Sequence, residues 1–576
     1  MSRNSRKKQK TKAEEVKEAS QGLRGSIRSE LESESDHLTS ESAQLIKFHG
    51  VYQYDDRDQR RRLLQEGEGK AYRFMVRTRV PGGGRISPEQ WLTLDRASQL
   101  YGNGTLRLTN RQDIQFHGVG KKNLASLIRL INQELLTTFG ACGDGVRNVI
   151  ACPVSSLAED SVFDGQAWAN AISRSLAFKT TAYMEIWLDG EKIESVFDEP
   201  LYGKGYLPRK FKIGISGVNE NCPDVYTNDI GLVPVVERGS LTAFEVLVGG
   251  GLGSSHGNHQ TYPRLATPLC RTDPEQLLPL LRAIVELYRD LGDRTDRKHA
   301  RLKYVIEEMG IEAFRRSVEA LLQTKLEPPR PVVFQGRSRH LGWQRQKEGR
   351  FYLGLFVENG RIHDSGPRLK SALREIVERF RPSIQLTPDQ NLILADIEAD
   401  KRAEITFVLE SYQVSLPDAV SNLRLRSMAC PALPTCGLAL AEAERQLPGV
   451  ISELERFGCG DAAVTIRMAG CPNSCSRPPV AEIGLVGRSS NGYHIYLGGS
   501  PTGQRLAELY RENVAAEELA VVIAGLIDLW RRETQEKESF GDWSHRIGVE
   551  NLRQLALVPP AAVDKHSRHS GPSADY

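Results

Sequence analysis

The stretch Arg107-Leu-Thr-Asn-Arg-Gln-Asp-Ile-Gln-Phe116 returns later in the chain as Gln385-Leu-Thr-Pro-Asp-Gln-Asn-Leu-Ile-Leu394. Thr109 falls on Thr387 and Gln112 on Gln390. At the same offset, Ala151-Cys152-Pro153 falls on Ala429-Cys430-Pro431, and upstream Gly84-Arg85-Ile86 falls on Gly360-Arg361-Ile362 with a short gap. A second block repeats too. Ser216-Gly217-Val-Asn-Glu-Asn-Cys222 lies on Ala469-Gly470-Cys-Pro-Asn-Ser-Cys475, and without a gap Asp229-Ile-Gly-Leu-Val233 lies on Glu482-Ile-Gly-Leu-Val486. Further on, Phe244 to Gly250 resembles Tyr493 to Gly499. Separated blocks that agree at fixed offsets argue against chance, so the chain reads as two copies of one unit, over 70–335 and 345–545.

Each copy opens on a strand–helix–strand piece. Phe74 to Val80 alternates apolar and polar residues as a strand does, Pro88 to Leu100 reads as a helix, and Thr105 to Gly118 as the next strand. Mixed helix and strand follow, which makes the class α+β. At 576 residues the chain is too long for one ordinary core. With 40% hydrophobic and 26% charged residues it is globular, and a net charge of +3 offers no global argument for nucleic acid or an anionic membrane. No apolar run reaches membrane-spanning length. The segment from Met1 to about Ser42 is rich in Lys, Arg, Glu and Ser and lacks an apolar secretory core, so it reads as a solvated, disordered tail, as does Pro559 to Tyr576.

Without an export signal the expected compartment is the reducing cytoplasm, where clustered cysteines are metal ligands more often than disulfides. The chain has nine cysteines. Four of them, Cys430, Cys436, Cys471 and Cys475, form C-x5-C, a long gap, then C-x3-C, and four thiolates are what a cubane iron–sulfur cluster needs. Pro431 and Pro434 stiffen the first loop. Cys436 is expected to open a helix over Gly437 to Leu447, stopped by Pro448. Structural zinc is the competing reading, although zinc ribbons favour C-x2-C knuckles; inert buried thiols are another. The first copy keeps Cys152 and Cys222 but has Ala158 and Val218 where Cys436 and Cys471 would fall. Two ligands do not close a cluster, so one cluster is expected, in the second half. Cys142, Cys270 and Cys459 read as ordinary small residues.

The four-cysteine pattern, with Gly470 before the third cysteine and Glu482-Ile-Gly-Leu485 after the fourth, resembles the siroheme signature of sulfite and nitrite reductases, which carries Ser, Thr or Val where this chain has Ala469. His49 to Arg57, Leu108 to Gln112, Phe116 to Gly118, Tyr206 to Lys212, Leu247 to Gly251 and Asp293 to Lys298 are similar to the assimilatory sulfite reductase hemoproteins of that family. The resemblance runs from about His49 to about Gly541. It implies paired ferredoxin-like halves forming a central domain, flanked by two mixed α/β lobes that hold siroheme and a 4Fe-4S cluster. The expected parts are a charged tail (1–45), an arm (46–68), a first ferredoxin-like half (69–140), a first siroheme lobe (141–335), a second half (336–415), a second siroheme and cluster lobe (416–545) and a C-terminal tail (546–576). It further implies Cys430, Cys436, Cys471 and Cys475 as cluster ligands, with Cys475 also the axial ligand of the siroheme iron, and six-electron reduction of sulfite to hydrogen sulfide.

Siroheme carboxylates and sulfite both call for cations. By family correspondence Arg77, Arg147, Lys210 and Lys212 line the sulfite pocket, while Arg107, Arg111 and Arg209 meet siroheme carboxylates; Asn110 and Gln115 are further cofactor contacts. Arg79 reads as structural. A lone His117 beside Phe116 reads as packed structure. The run Val248 to Gly253 departs from G-x-G-x-x-G at Ser254, so no dinucleotide site is read there. Electrons are therefore expected from a partner, a flavoprotein NADPH reductase subunit or, alternatively, ferredoxin. A siroheme nitrite reductase is the close alternative within the class, and a zinc-stabilised binding protein the alternative outside it.

Overall fold

The structure, a computed structural model, describes residues 9–555 apart from 184–185, 189–190 and 194–198. Two central sheets repeat one strand order. The first runs Val51–Asp55, Tyr72–Arg77, Ile114–Val119, Leu106–Leu108, and the second runs Gly342–Arg345, Phe351–Leu355, Leu392–Ile397, Ser383–Leu386. Helices Pro88–Tyr101 and Leu124–Gln133 cover the first, and Leu369–Phe380 and Arg402–Ser411 the second. Their apolar faces meet in one core, where Trp91, Leu94 and Phe116 pack in the same cluster as Leu373, Ile376 and Leu394. The two halves also exchange backbone. Arg361–Ile362, from the second copy, pairs with Leu106–Arg107 of the first, and Ile86 of the first pairs with Ile384 of the second through two hydrogen bonds of 2.9 Å. The ferredoxin-like halves thus form one central domain.

The repeated Leu-Thr-x-x-Gln motif has a structural cause. The single strand expected over 105–118 is a hairpin, and the motif makes its turn. Thr109 N–H donates to Asp113 O and Thr387 N–H to Asn391 O, both at 2.9 Å. Each threonine Oγ1 accepts the returning N–H, from Asp113 at 3.1 Å and Asn391 at 3.0 Å. Gln112 (φ 55°) and Gln390 (φ 66°) take the left-handed position of the turn. Their amides then reach the strand before each cysteine loop: Gln112 Nε2 donates to Ala151 O at 2.9 Å, and Gln390 Nε2 to Ala429 O at 3.0 Å.

The flanking lobes are also copies. In the first, Ile150–Ala151, Ile213–Ile215 and Ile230–Glu237 are parallel, followed by antiparallel Ser240–Val248 and Thr267–Thr272. In the second, Ser427–Ala429, Ile466–Ala469 and Ile483–Gly487 are parallel, followed by antiparallel Gly492–Leu497 and Glu508–Ala515. Each lobe has its own apolar core.

Three expectations are corrected. Residues 9–45 are no solvated tail: they form helices Lys12–Glu18, Ile27–Glu32 and Ser40–Leu45, and Leu23 and Leu45 join the core of the first lobe. The charges that suggested disorder are paired, as where buried Lys17 Nζ meets Glu14 Oε1 at 2.6 Å and Leu207 O at 2.7 Å. At the C-terminus Val549–Leu555 is a helix with Leu552 buried; the tails over 1–8 and 559–576 lie outside the described residues. Finally, 437–446 are turns, and the helix begins at Leu447 with Pro448 in its first turn. Proline opens this helix rather than ending one, since its missing N–H is one the first turn leaves unpaired anyway. No helix among the described residues is long and apolar enough to cross a membrane.

Candidate active site

The second lobe's cysteine loops leave the ends of two neighbouring parallel strands, Cys430 after Ser427–Ala429 and Cys471 after Ile466–Ala469. Space dictates Gly470, because a Cβ there would stand 2.5 Å from Ala441 O and 2.6 Å from Ala432 Cβ. Its N–H is then free to donate to Cys430 Sγ at 3.4 Å. Asn473 Nδ2 donates to Cys471 Sγ at 3.6 Å, and the N–H groups of Leu438 and Ala439 reach Cys436. The segment 437–446 gives up helix because the amides of Leu440 and Ala441 go to Gly470 O, at 2.8 and 3.0 Å.

The four thiols converge. Burial, then the charge of Cys475, pushes Cys430 and Cys471 up and Cys436 up to about 11. A donor set so costly to ionise alone fits a multiply charged soft metal centre, which supplies the positive charge that the thiolates lack. Cys475 is exposed, unlike buried Cys430 and Cys471.

Beside it lies a cleft between the two lobes. Nine of its lining residues are Lys or Arg and none is Asp or Glu, which makes it a receptor for anions. Of the residues expected from sequence, Arg111, Arg209, Lys210, Lys212 and Asn110 line it, together with Asn473 and Ser474 of the cysteine loop. Asn110 Nδ2 donates to Cys475 O. Burial, then neighbouring Arg209, holds Lys210 down to about 7; burial, then Lys210, holds Lys212 well below the usual lysine range. Both are closer to neutrality than a surface lysine and can give up protons. Arg111, held down to about 9 by burial, has Nη1 on Asn228 Oδ1 at 2.7 Å while its buried Nε has no partner among the described residues. Arg209 faces Asp144 at 3.7 Å.

Arg77 and Arg147 do not line this cleft and form a second group behind it. Arg147 Nε donates to Gly143 O at 3.0 Å and Nη2 to Tyr52 Oη at 3.4 Å. Burial opposes its charge, but Tyr52, Cys142 and Asp144 outweigh burial and keep it above the ordinary range. Its field reaches Lys210 and Arg111. With the Gln115 amide turned to satisfy both neighbours, its oxygen accepts from Arg77 Nε at 3.0 Å and its nitrogen faces His117 Nε2 at 3.2 Å. Arg107 is spent within the protein: it is 2% exposed and bonds Glu444 Oε2 (3.3 Å), Leu108 O (3.0 Å) and Ala429 O (2.9 Å). Arg79 is likewise buried, near Ser173 O. His117 packs against Arg361, and burial, then that guanidinium, holds it well below the usual histidine range.

Sequence reasoning missed Arg301, Lys303 and Arg477, which also line the cleft. Arg301 holds Asp229 through two bonds, of 3.1 and 2.8 Å, and Asp229 in turn accepts Lys212 N–H at 2.8 Å. The signal was present in the alternation Arg301-Leu-Lys303. It also explains the glycine-rich run, whose carbonyls at Gly251 and Gly253 accept from Lys303 Nζ at 3.2 and 2.9 Å. There a Cβ on Gly250 would stand 2.2 Å from Tyr226 O.

The chain is similar to known proteins. The family described as "Nitrite and sulphite reductase 4Fe-4S domain" matches residues 142–326 and 461–560, and "Nitrite/Sulfite reductase ferredoxin-like half domain" matches 65–134 and 344–411. The chain is 43% identical to the sulfite reductase (NADPH) hemoprotein beta-component of Methylobacterium nodulans, over 93% of this chain and 90% of that one. It is 42% identical to the protein of the same name from Myxococcus xanthus, over 93% and 96%. Among solved structures it is similar to the NirA protein of Mycobacterium tuberculosis, with a TM-score of 0.77 and 26% identity over 95% of this chain and 98% of that one.

Proposed function

We propose a function from one premise: this chain belongs to the family of nitrite and sulphite reductases. It is an NADPH-type assimilatory sulfite reductase hemoprotein that reduces sulfite to hydrogen sulfide, with siroheme and a 4Fe-4S cluster as its cofactors. The observation that carries this reading is the cleft lined by nine Lys and Arg side chains and, among the described residues, no carboxylate, opening beside the loop that carries Cys471 and Cys475.

Cys430, Cys436, Cys471 and Cys475 would hold the cluster, and Cys475, the exposed thiol, would also face the siroheme iron. When bound, the two cofactors supply the electrons and the metal at which sulfur–oxygen bonds break. The chain's own work is electrostatic and protonic. Lys210 and Lys212 draw the anion from water and stabilise charge on its oxygens. Reducing one sulfite takes up six electrons and eight protons and releases three waters, so proton delivery is as necessary as charge. Near neutrality Lys210 Nζ can donate and be recharged, whereas Arg147, kept charged, serves as a fixed fork of donors. Arg77 orients through Gln115. Arg111 and Arg209, and Arg107 if Glu444 yields it, meet the acidic rim of siroheme. Electrons come from a separate flavoprotein NADPH reductase subunit, a reading supported by the beta-component naming of the relatives; ferredoxin is the alternative donor.

The test is an absorption spectrum of the purified protein with iron and acid-labile sulfide assays, followed by sulfite titration of the reduced form. A siroheme spectrum, iron in excess of one cubane and a sulfite-induced shift are expected. Cys475→Ser should retain less than about a hundredth of sulfite turnover, as expected when a metal-ligating thiolate is removed. A colourless protein, full activity in the variant, or a preference for nitrite by kcat/KM would overturn the corresponding part.

A further inference from the structure

The first lobe keeps two thiols at the positions where the second binds its cluster. Cys152 follows strand Ile150–Ala151 as Cys430 follows Ser427–Ala429, and Cys222 stands in the turn equivalent to that of Cys475. The fold supplies a third donor that no spacing announces. His340, in the segment leading into the second central sheet, places Nε2 3.7 Å from Cys152 Sγ. The two sulfurs and the ring nitrogen all lie within 4.8 Å of one another, and all three residues are buried. Glu220 Oε1 stands 3.3 Å from the same nitrogen.

The sulfur–nitrogen separation is that of a tetrahedral ion. With zinc–sulfur bonds of about 2.3 Å and zinc–nitrogen or –oxygen bonds near 2.1 Å, the sulfur–nitrogen edge of a tetrahedron is about 3.6 Å and the nitrogen–oxygen edge about 3.4 Å. We propose that Cys152, Cys222 and His340 bind a zinc ion, with Glu220, which stands outside that three-atom group, turning in as the oxygen donor for its fourth position.

The donors are braced independently of any ion. Cys152 N–H donates to Ile215 O at 3.1 Å, and Gln166 Nε2 to Cys152 O at 2.7 Å. Ser338 N–H fixes Glu220 Oε1 at 2.7 Å, and Ser338 Oγ takes His340 N–H at 3.1 Å. Cys152 and Cys222 sit in an apolar cluster with Leu157, Tyr352 and Ile393, which keeps water from the sulfurs. Arg337 bonds Asp389 and stands 3.6 Å from Asp224, and its field extends more weakly to Cys222 and Glu220. A closed site of this kind is structural rather than catalytic. Zinc accepts no electrons, so it would not compete with the redox centre of the other lobe. Its effect would be to pin the segment around His340, which connects the two copies, onto the first lobe.

The experiment uses the full-length holoenzyme, incubated with equimolar zinc sulfate and desalted, with zinc and iron measured by mass spectrometry of the elements. The proposal predicts about one zinc per chain beyond the iron, falling at least about tenfold in His340→Ala and Cys222→Ala, with iron content and visible spectrum unchanged. Cys270→Ala, a buried thiol elsewhere, should keep its zinc. Should the variants lose iron as well, zinc-edge X-ray absorption of the unmodified protein decides: two sulfur neighbours near ~2.3 Å support the site, and an all-nitrogen and oxygen shell overturns it. Zinc below about a tenth per chain in the unmodified protein, unchanged zinc in folded variants, or a Cys152–Cys222 disulfide in non-reduced peptide maps would also overturn it.

Discussion

Asp113 sits in the repeated turn with 1% exposure and no hydrogen-bond partner for either carboxylate oxygen among the described residues. Burial pushes its carboxyl up to about 7, against the pull of Arg77 and Arg111. An unfolded aspartate titrates near ~3.9, so the folded state holds its proton longer. The proton's contribution to stability is therefore full below about pH 4 and is lost as pH rises to about 7. Asp113→Asn, which keeps the shape without the charge, should gain on the unmodified protein by about 3 kcal/mol between pH 5 and pH 8, at about 1.4 kcal/mol per unit. Thermal unfolding midpoints at the two pH values check this, and an unchanged gap refutes it. The sequence placed Thr109 on Thr387 and Gln112 on Gln390 without a reason; the reason is a turn geometry, which a linear string does not state. Lys210 and Lys212, named through resemblance, line the cleft, whereas Arg77, named with them, does not. His340 was not legible, because its partners are more than a hundred residues away.

At the scale of elements, the Cys430 loop is clamped from the central domain. Glu444 takes Arg361 Nε at 2.7 Å through Oε1 and Arg107 Nε at 3.3 Å through Oε2. Arg107, which is fully buried, also holds Ala429 O, one residue before Cys430. Glu444→Ala leaves two largely buried guanidiniums uncompensated, so a loss of about 3–5 kcal/mol is expected. Because the clamp borders the cluster loop, iron per chain should fall with the melting temperature. Retention of both would reduce Glu444 to a surface contact. This element was misread from sequence for a physical reason. The apolar spacing of Leu438 to Leu447 suits a helix, but the amides of Leu440 and Ala441 go to Gly470 O, at 2.8 and 3.0 Å, and that of Ala439 to Cys436 O at 3.1 Å. Tertiary partners for backbone N–H groups override local propensity here.

For the whole molecule, the N-terminal segment joins the first lobe. Lys17 and Glu14 are buried against Asp144, which burial would push up but which Lys17, Arg297 and Arg209 hold far below the usual carboxylate range. Removing residues 1–20 should lower the melting temperature by several degrees and disturb Arg209 at the cleft, because a buried charge loses its partner. Identical stability and anion affinity in the truncated protein would make the segment an ornament. Composition hid this packing, since a pairwise-neutralised helix and a solvated tail contain the same letters; the duplication, by contrast, was plain because it is a relation between letters. The exchange of Ile86 with Ile384 and of Ile362 with Leu106 extends that relation into lineage. Contacts in which each partner gives what it receives are those of a symmetric dimer. A single-copy ancestor would have had to assemble from two identical chains, so any mutation would strike both pockets at once. Fusion in tandem freed the copies to diverge: one could surrender cysteines while the other kept them, and a division of labour became heritable within a single gene.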